Sequence, residues 1–128
     1  MKNKNTSILI TGHKGFIATN FINFLETEGI KYKIFKKSML NNKYKHQFTH
    51  LFHFAFRKGS GKMSIKKYIN DNVLFTKQLV KFSIMNNIQF VFPSTPAYFP
   101  NNKEHREGDM LYSYNLYTFT KILCENLI

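Results

Sequence analysis

Apolar residues come in short clusters whose period switches between strand-like and helix-like along the chain. Residues 7–11 form a nearly continuous apolar run, short enough for a strand buried on both faces. Beyond Gly12 and Gly15 the period changes. Ile17, Phe21, Phe24 and Leu25 recur at i, i+4, i+7 and i+8, which predicts a helix over residues 16–28 with Gly29 just past its end. Residues 32–35 and 51–54 read as two further strands. The mostly polar connection between them, residues 36–50, is too short for an additional helix and strand.

Glycines and charge make residues 57–62 a loop. Ile69, Val73, Val80 and Ile84 then predict one helix over residues 65–85, and residues 88–92 a strand stopped by Pro93. Residues 94–115 are loop-rich, and a last helix begins near Leu116. Strands alternating with helices define an α/β domain with a parallel sheet. The expected architecture is a Rossmann-like doubly wound sheet of four to five strands in one domain spanning residues 1–128.

Composition supports this picture and narrows the function. The chain is 43% hydrophobic with 14 Phe, a globular balance. Its net charge of +12 would suit nucleic acid or a membrane surface. The lysines, however, are scattered among asparagines without a helical stripe, so no nucleic-acid or membrane partner is expected, and a basic nucleic-acid-binding protein ranks last among the alternatives. One cysteine, Cys124, excludes an intrachain disulfide and fits a cytoplasmic protein. The five histidines have no metal-ligand spacing, and no metal is expected.

Two patterns carry chemistry. An apolar strand that enters the turn Gly12-His13-Lys14-Gly15 and opens a helix at Phe16-Ile17-Ala18 lets backbone N–H groups approach a pyrophosphate, and a plain turn explains the same glycines. Tyr117 and Lys121 stand four apart in the last predicted helix and share a face, with Glu125 extending the row. A phenol is a poor base at neutral pH, and an adjacent ammonium favours the phenolate.

Taken together, these segments resemble the extended short-chain dehydrogenase/reductases, specifically the NAD-dependent epimerase/dehydratase family. Thr11-Gly12-His13-Lys14-Gly15-Phe16-Ile17-Ala18 is similar to that family's Thr-Gly-x-x-Gly-Phe-Ile-Gly opening. His53-Phe54-Ala55 is similar to its strand-end His-Leu-Ala beside the cofactor, and Asn72-Val73 with Thr76 to its Asn-Val-x-Gly-Thr helix. The run from Phe90 to Phe99 resembles the strand that delivers a catalytic hydroxyl, here Thr95 with Ser94 beside it. Tyr117-Thr118-Phe119-Thr120-Lys121 resembles the family's Tyr-x-x-Ser-Lys, and Glu107 falls where the family often has a glutamate.

The resemblance implies NAD or NADP as cofactor and a nucleotide sugar as substrate. Tyr117 would exchange a proton at a sugar hydroxyl or ketone, Lys121 would support it and hold the nicotinamide ribose, and Thr95 would orient the reacting oxygen. The cofactor would also meet Gly12, His13, Lys14, Gly15, Phe16, Ile17, Lys36, His53, Ala55 and Asn72. Pro96-Ala97 replace the Asp-Glu that usually serves elimination, which disfavours dehydration. After the second strand Lys36-Lys37-Ser38 stand where an NAD enzyme commonly has an acid; they suit a 2′-phosphate, and surface lysines in a lysine-rich chain account for them equally. The chain ends at Ile128, within the helix carrying Lys121, so the family's C-terminal substrate domain is not included. A catalytically inactive remnant or a cofactor-binding module is therefore the alternative to an enzyme, and a homodimer or partner chain is expected over the open sheet edge.

Overall fold

A computed structural model describes residues 7–58, 63–95, 104–113 and 115–128. The expected loop at 59–62 and the Pro96–Phe99 part of the hydroxyl-bearing motif lie outside the described residues. These residues form two compact units, one from Met1–Phe56 with Gln78–Pro93, the other from Arg57–Lys77 with Ser94–Ile128.

The first unit holds a four-stranded parallel sheet in the order β2-β1-β3-β4. Its strands are β1 (Ser7–Thr11), β2 (Lys31–Ile34), β3 (His50–His53) and β4 (Gln89–Val91). Leu9, Ile10 and Leu51 are fully buried, as the continuous apolar runs of central parallel strands require. Helix α1 (Phe16–Thr27) follows β1 and covers the face presented by Ile8, Ile10, Tyr32, Ile34 and Phe52. Strand alternation turns Leu9 and Leu51 to the opposite face. Phe35 meets Phe82 edge to face at 5.3 Å, and Phe82 belongs to helix α3 (Phe75–Asn86), whose residues from Gln78 onward lie in this unit. The result is an α/β, Rossmann-like sheet.

The expected apolar stripe on α1 is shifted. Ile17 and Phe24 are exposed, while Ala18 and Leu25 are buried with Phe21 and Ile22 packed beside them. Positions 18, 21, 22 and 25 form the stripe because the small Ala18 lets the first turn sit closely on the sheet. Between β2 and β3 the chain makes a single 3₁₀ turn, Lys37–Asn41, as the short connection predicts.

In the second unit, helix α2 (Ile65–Ile69) is capped by Ser64, whose hydroxyl accepts from Lys67 N–H at 3.3 Å. Residues Asn70–Leu74 then adopt a π-helical turn that leads into α3. The expected single helix is thus interrupted, and its expected apolar row is not the buried one. Tyr68, Asn72 and Thr76 are buried here, and Ile84 further along α3 is exposed. The buried row includes polar residues that an apolar period cannot reveal. Helix α4 (Leu116–Glu125) starts where Asn115 caps it, the side-chain oxygen accepting from Thr118 N–H at 2.9 Å.

Gly12 anchors the turn after β1. Its φ is +72°, and a Cβ there would lie 2.5 Å from Ala55 N and 2.7 Å from the Phe54 carbonyl carbon, backbone that cannot yield locally. Gly29 also has positive φ but has open space around it. Gly12→Ala should therefore cost about 3 kcal/mol and Gly29→Ala about 1 kcal/mol in denaturant unfolding. Equal costs at the two positions would contradict the close-approach account.

Candidate active site

At the C-terminal ends of β1 and β3, the first unit has an open cleft of about 380 Å³ lined by Gly12, His13, Lys14, Gly15, Phe54, Ala55 and Phe56. Gly15 is the N-cap of α1 and offers no side-chain acceptor, and the first turn contains no acidic residue. The first N–H groups of a helix lack intrahelical partners and sit at the positive end of its dipole. Thr19 Oγ donates to the carbonyls of Gly15, at 2.9 Å, and His13, at 3.3 Å, tying down the acceptors of the turn. With no carboxylate lining the cleft and Lys14 beside it, the turn fits the diphosphate of a dinucleotide.

Thr11 and His53 pair across the centre of the sheet, with Thr11 Oγ 2.7 Å from His53 Nδ1. Ala55 N–H donates to the same hydroxyl at 3.2 Å. His53 is fully buried, its ring close to Phe90 and Phe92. Its side chain thus braces the strand ends, and Ala55 supplies the backbone that passes Gly12. Apolar periodicity does not mark Thr11 as a site residue, although a hydroxyl ending an otherwise apolar buried run is a signal of one. Phe16 is 85% exposed and Ile17 is exposed too, at the mouth of α1. Lys36 is exposed after β2.

The second unit contains a cleft of about 540 Å³. Thr95 and Tyr117 both line it, with Lys58, Met63, Tyr68, Asn115 and Leu116. Lys121 follows Tyr117 by one turn of α4 and is only 4% exposed; it is not among the described residues lining the cleft. Burial pushes its ammonium down from the ordinary 10.5 to about 8, against Cys124 and Glu125, which favour the charged form. Ser94 Oγ donates to Glu125 Oε1, so the residue before Thr95 is tied to α4.

Asn72 holds both backbone polar groups of Arg57. Its Oδ1 accepts from Arg57 N–H at 2.8 Å and its Nδ2 donates to the Arg57 carbonyl at 3.1 Å. The carbonyl of Asn72 itself accepts from Thr76 Oγ at 2.6 Å and from Cys124 Sγ at 3.6 Å, side-chain donors that suit a departure from regular α-helix. Asn72 therefore positions the chain from the π-helical turn, while Thr120 connects it to α4 at 3.5 Å. Tyr68, which sequence patterning did not single out, donates to the Arg57 carbonyl at 2.5 Å and faces the Thr95–Tyr117 cleft. Burial pushes its phenol up, and the neighbouring Asn72 opposes this. Its spacing of four residues from Asn72 placed it on the same helix face. Glu107 lies at a separate open cleft of about 320 Å³, with Ser94 and Glu125.

Fold and turn together define a dinucleotide-binding class of protein. The chain belongs to the NAD-dependent epimerase/dehydratase family, whose model matches residues 8–128. No curated protein sequence matches it significantly. Among solved structures, a short-chain dehydrogenase/reductase superfamily protein from Agrobacterium tumefaciens with bound NAD is 20% identical with a TM-score of 0.81, covering 94% of this chain and 43% of that one. UDP-N-acetylglucosamine 4-epimerase from Bacillus cereus is 20% identical with a TM-score of 0.76, covering 95% and 49%. UDP-glucuronic acid 4-epimerase from Bacillus cereus, in complex with UDP-glucuronic acid and NAD, is 18% identical with a TM-score of 0.75, covering 95% and 51%. The chain thus spans about half the length of these proteins, and the likeness is one of fold. Among the described residues no metal-binding cluster occurs and no helix is long and apolar enough to cross a membrane.

The buried ammonium has a measurable signature. Below about pH 8 Lys121 is charged in folded and unfolded chains alike, and its burial is a standing cost. Between about 8 and 10.5 the unfolded chain binds more protons, so stability rises with pH. Lys121→Met should flatten that rise in urea unfolding across the same window. An unchanged slope would contradict burial as the cause.

Proposed function

We propose that this chain is the NAD(P)-binding domain of a nucleotide-sugar epimerase or reductase, with Thr95, Tyr117 and Lys121 as its reacting group. The observation that carries the reading is the meeting of Thr95 and Tyr117 at one cleft, one helical turn from a buried Lys121, in a chain of this family. In this reading residues 1–128 form a single domain. The uncapped start of α1 and the turn Gly12–Gly15 hold the pyrophosphate. When bound, the nicotinamide supplies hydride exchange. Tyr117 takes or returns the proton at the sugar oxygen, and Thr95 hydrogen-bonds that oxygen and fixes its direction. Lys121 stands one turn along the same helix, and its own proton is easier to lose than that of an exposed lysine.

Net transfer of hydride would make the whole protein an oxidoreductase, and its return to the other face of the same carbon an isomerase. The sugar, and the activity of the whole protein, belong to the proposal, supported by nucleotide-sugar epimerases of like fold, one of them in complex with UDP-glucuronic acid. A second copy or partner chain is proposed for the same reason that β2 and β4 draw notice: each pairs on one side only among the described residues. A cytoplasmic location is supported by the lone, buried Cys124.

Thermal unfolding with NAD⁺, NADH, NADP⁺ and NADPH tests the reading. A ligand at about 100 times its Kd adds roughly 2.7 kcal/mol to stability, a clear upward shift of Tm. Absence of a shift with all four contradicts cofactor binding. For the proton role, Tyr117→Phe should lower turnover of a nucleotide sugar by at least about 100-fold while the cofactor-induced shift persists. Equal turnover would remove Tyr117 from the chemistry.

A further inference from the structure

The second unit sorts its charges between two clefts. Glu107, Asp109 and Glu125 line the smaller one with Arg106 and Ser94, and Glu104 lines neither. The larger cleft, about 540 Å³ and within the range of small-molecule sites, is the one where Thr95 and Tyr117 meet. Among its described lining residues there is no carboxylate and one charged side chain, Lys58. A single ammonium therefore sets the electrostatic sign of this wall. Lys66, Lys67 and Lys77 of the same unit are exposed and line neither cleft.

Lys58 follows a residue that is held by both its backbone and its side chain. Asn72 takes the Arg57 N–H at 2.8 Å and its carbonyl at 3.1 Å, and Tyr68 donates to the same carbonyl at 2.5 Å. The Arg57 guanidinium meets Asp71, Nε to Oδ2 at 2.5 Å. Two consecutive cations thus have different fates. Asp71 neutralises Arg57, whereas among the described residues no carboxylate forms an ion pair with Lys58. The clamp on Arg57 fixes the chain from which an exposed, uncompensated ammonium borders the cleft.

Hydroxyl-bearing walls suit a polyhydroxyl molecule, and one uncompensated cation suits an anionic group on it. We infer that the sugar acted on at Thr95 and Tyr117 carries a carboxylate on its own ring, as a uronate does, and that Lys58 is the specificity-determining residue that receives it. The inference rests on the proposed reaction at this cleft and names its substrate class. A carboxylate would answer the ammonium with a charge-assisted hydrogen bond, whereas a hydroxymethyl group in its place leaves the charge without a counterpart. The diphosphate shared by all nucleotide sugars is the other anion a lysine could meet. Lys58 lines the cleft of the reacting group itself, which assigns it to the ring.

Titration of the chain with UDP-glucuronic acid, UDP-glucose and UDP, followed by amide chemical shifts, tests this, because the two sugars differ only in a carboxylate against a hydroxymethyl group. UDP-glucuronic acid should bind about fivefold more tightly than UDP-glucose, perturb the amides of Lys58 and Tyr117, and lose its advantage with added salt. Lys58→Ala should bring the ratio of the two affinities close to one, and Lys58→Arg should preserve the preference. Lys58 is exposed, so neither substitution disturbs the core. Equal binding of the two sugars to the unmodified chain overturns the carboxylate inference and leaves the sugar reading standing. Equal weakening of all three ligands by Lys58→Ala gives the ammonium to the diphosphate and overturns the inference too. Failure of both sugars to perturb the cleft overturns the sugar reading and this inference with it.

Discussion

The chain leaving β1 passes the chain leaving β3 so closely that only a residue without a side chain fits between them. A Cβ on Gly12 would sit 2.5 Å from Ala55 N, far inside van der Waals contact with the Phe54–Ala55 peptide, and Thr11 fastens the same crossing by meeting His53 and Ala55. That crossing sets the direction in which α1 begins. Gly15 then stands as a cap without a side-chain acceptor for the first N–H groups of the helix. One packing constraint between two central strands thus produces both the bend of the backbone and the glycine turn on which the proposed phosphate seat rests. Gly12 owes its identity first to the neighbouring strand, and only through it to a ligand.

A comparable dependence runs through the second unit. Asn72 holds both polar groups of the Arg57 peptide while its own carbonyl receives Thr76 and Cys124, and the helix departs from α geometry at this point. Tyr68 adds a second donor to the Arg57 carbonyl, and Thr120 links Asn72 to α4. The cleft shared by Thr95 and Tyr117 is built on this polar scaffold. Its wall is therefore defined by directional bonds, which hold a hydroxyl more closely than apolar packing does.

Periodicity finds every strand of the described sheet within a residue or so, because short apolar clusters bounded by glycine or polar breaks mark β1, β3 and β4, and Tyr32 and Ile34 alternate with lysines in β2. It found the helices but misread their faces. Ile17 and Phe24 looked like core and are exposed, while Ala18, too small to weigh in an apolar count, is fully buried. In the helix after Ser64 the buried row includes Asn72, Thr76, Ser83 and Asn86, polar side chains that hydropathy assigns to solvent. The π-helical turn follows from a side chain bonding to a distant backbone, which no local period encodes. Spacing along one element places the candidate residues Tyr117 and Lys121 one turn apart on α4. No such spacing marks residues that act through distant partners, as Thr11 and Tyr68 do.

In the proposed function the start of α1 and the glycine turn form the phosphate seat of a dinucleotide. Amide chemical-shift mapping during titration with NADH or NADPH tests this seat residue by residue. The largest changes should fall on the amides of Gly12 to Ala18. Saturable binding that leaves the amides of the turn and the first turn of α1 unperturbed would contradict the account.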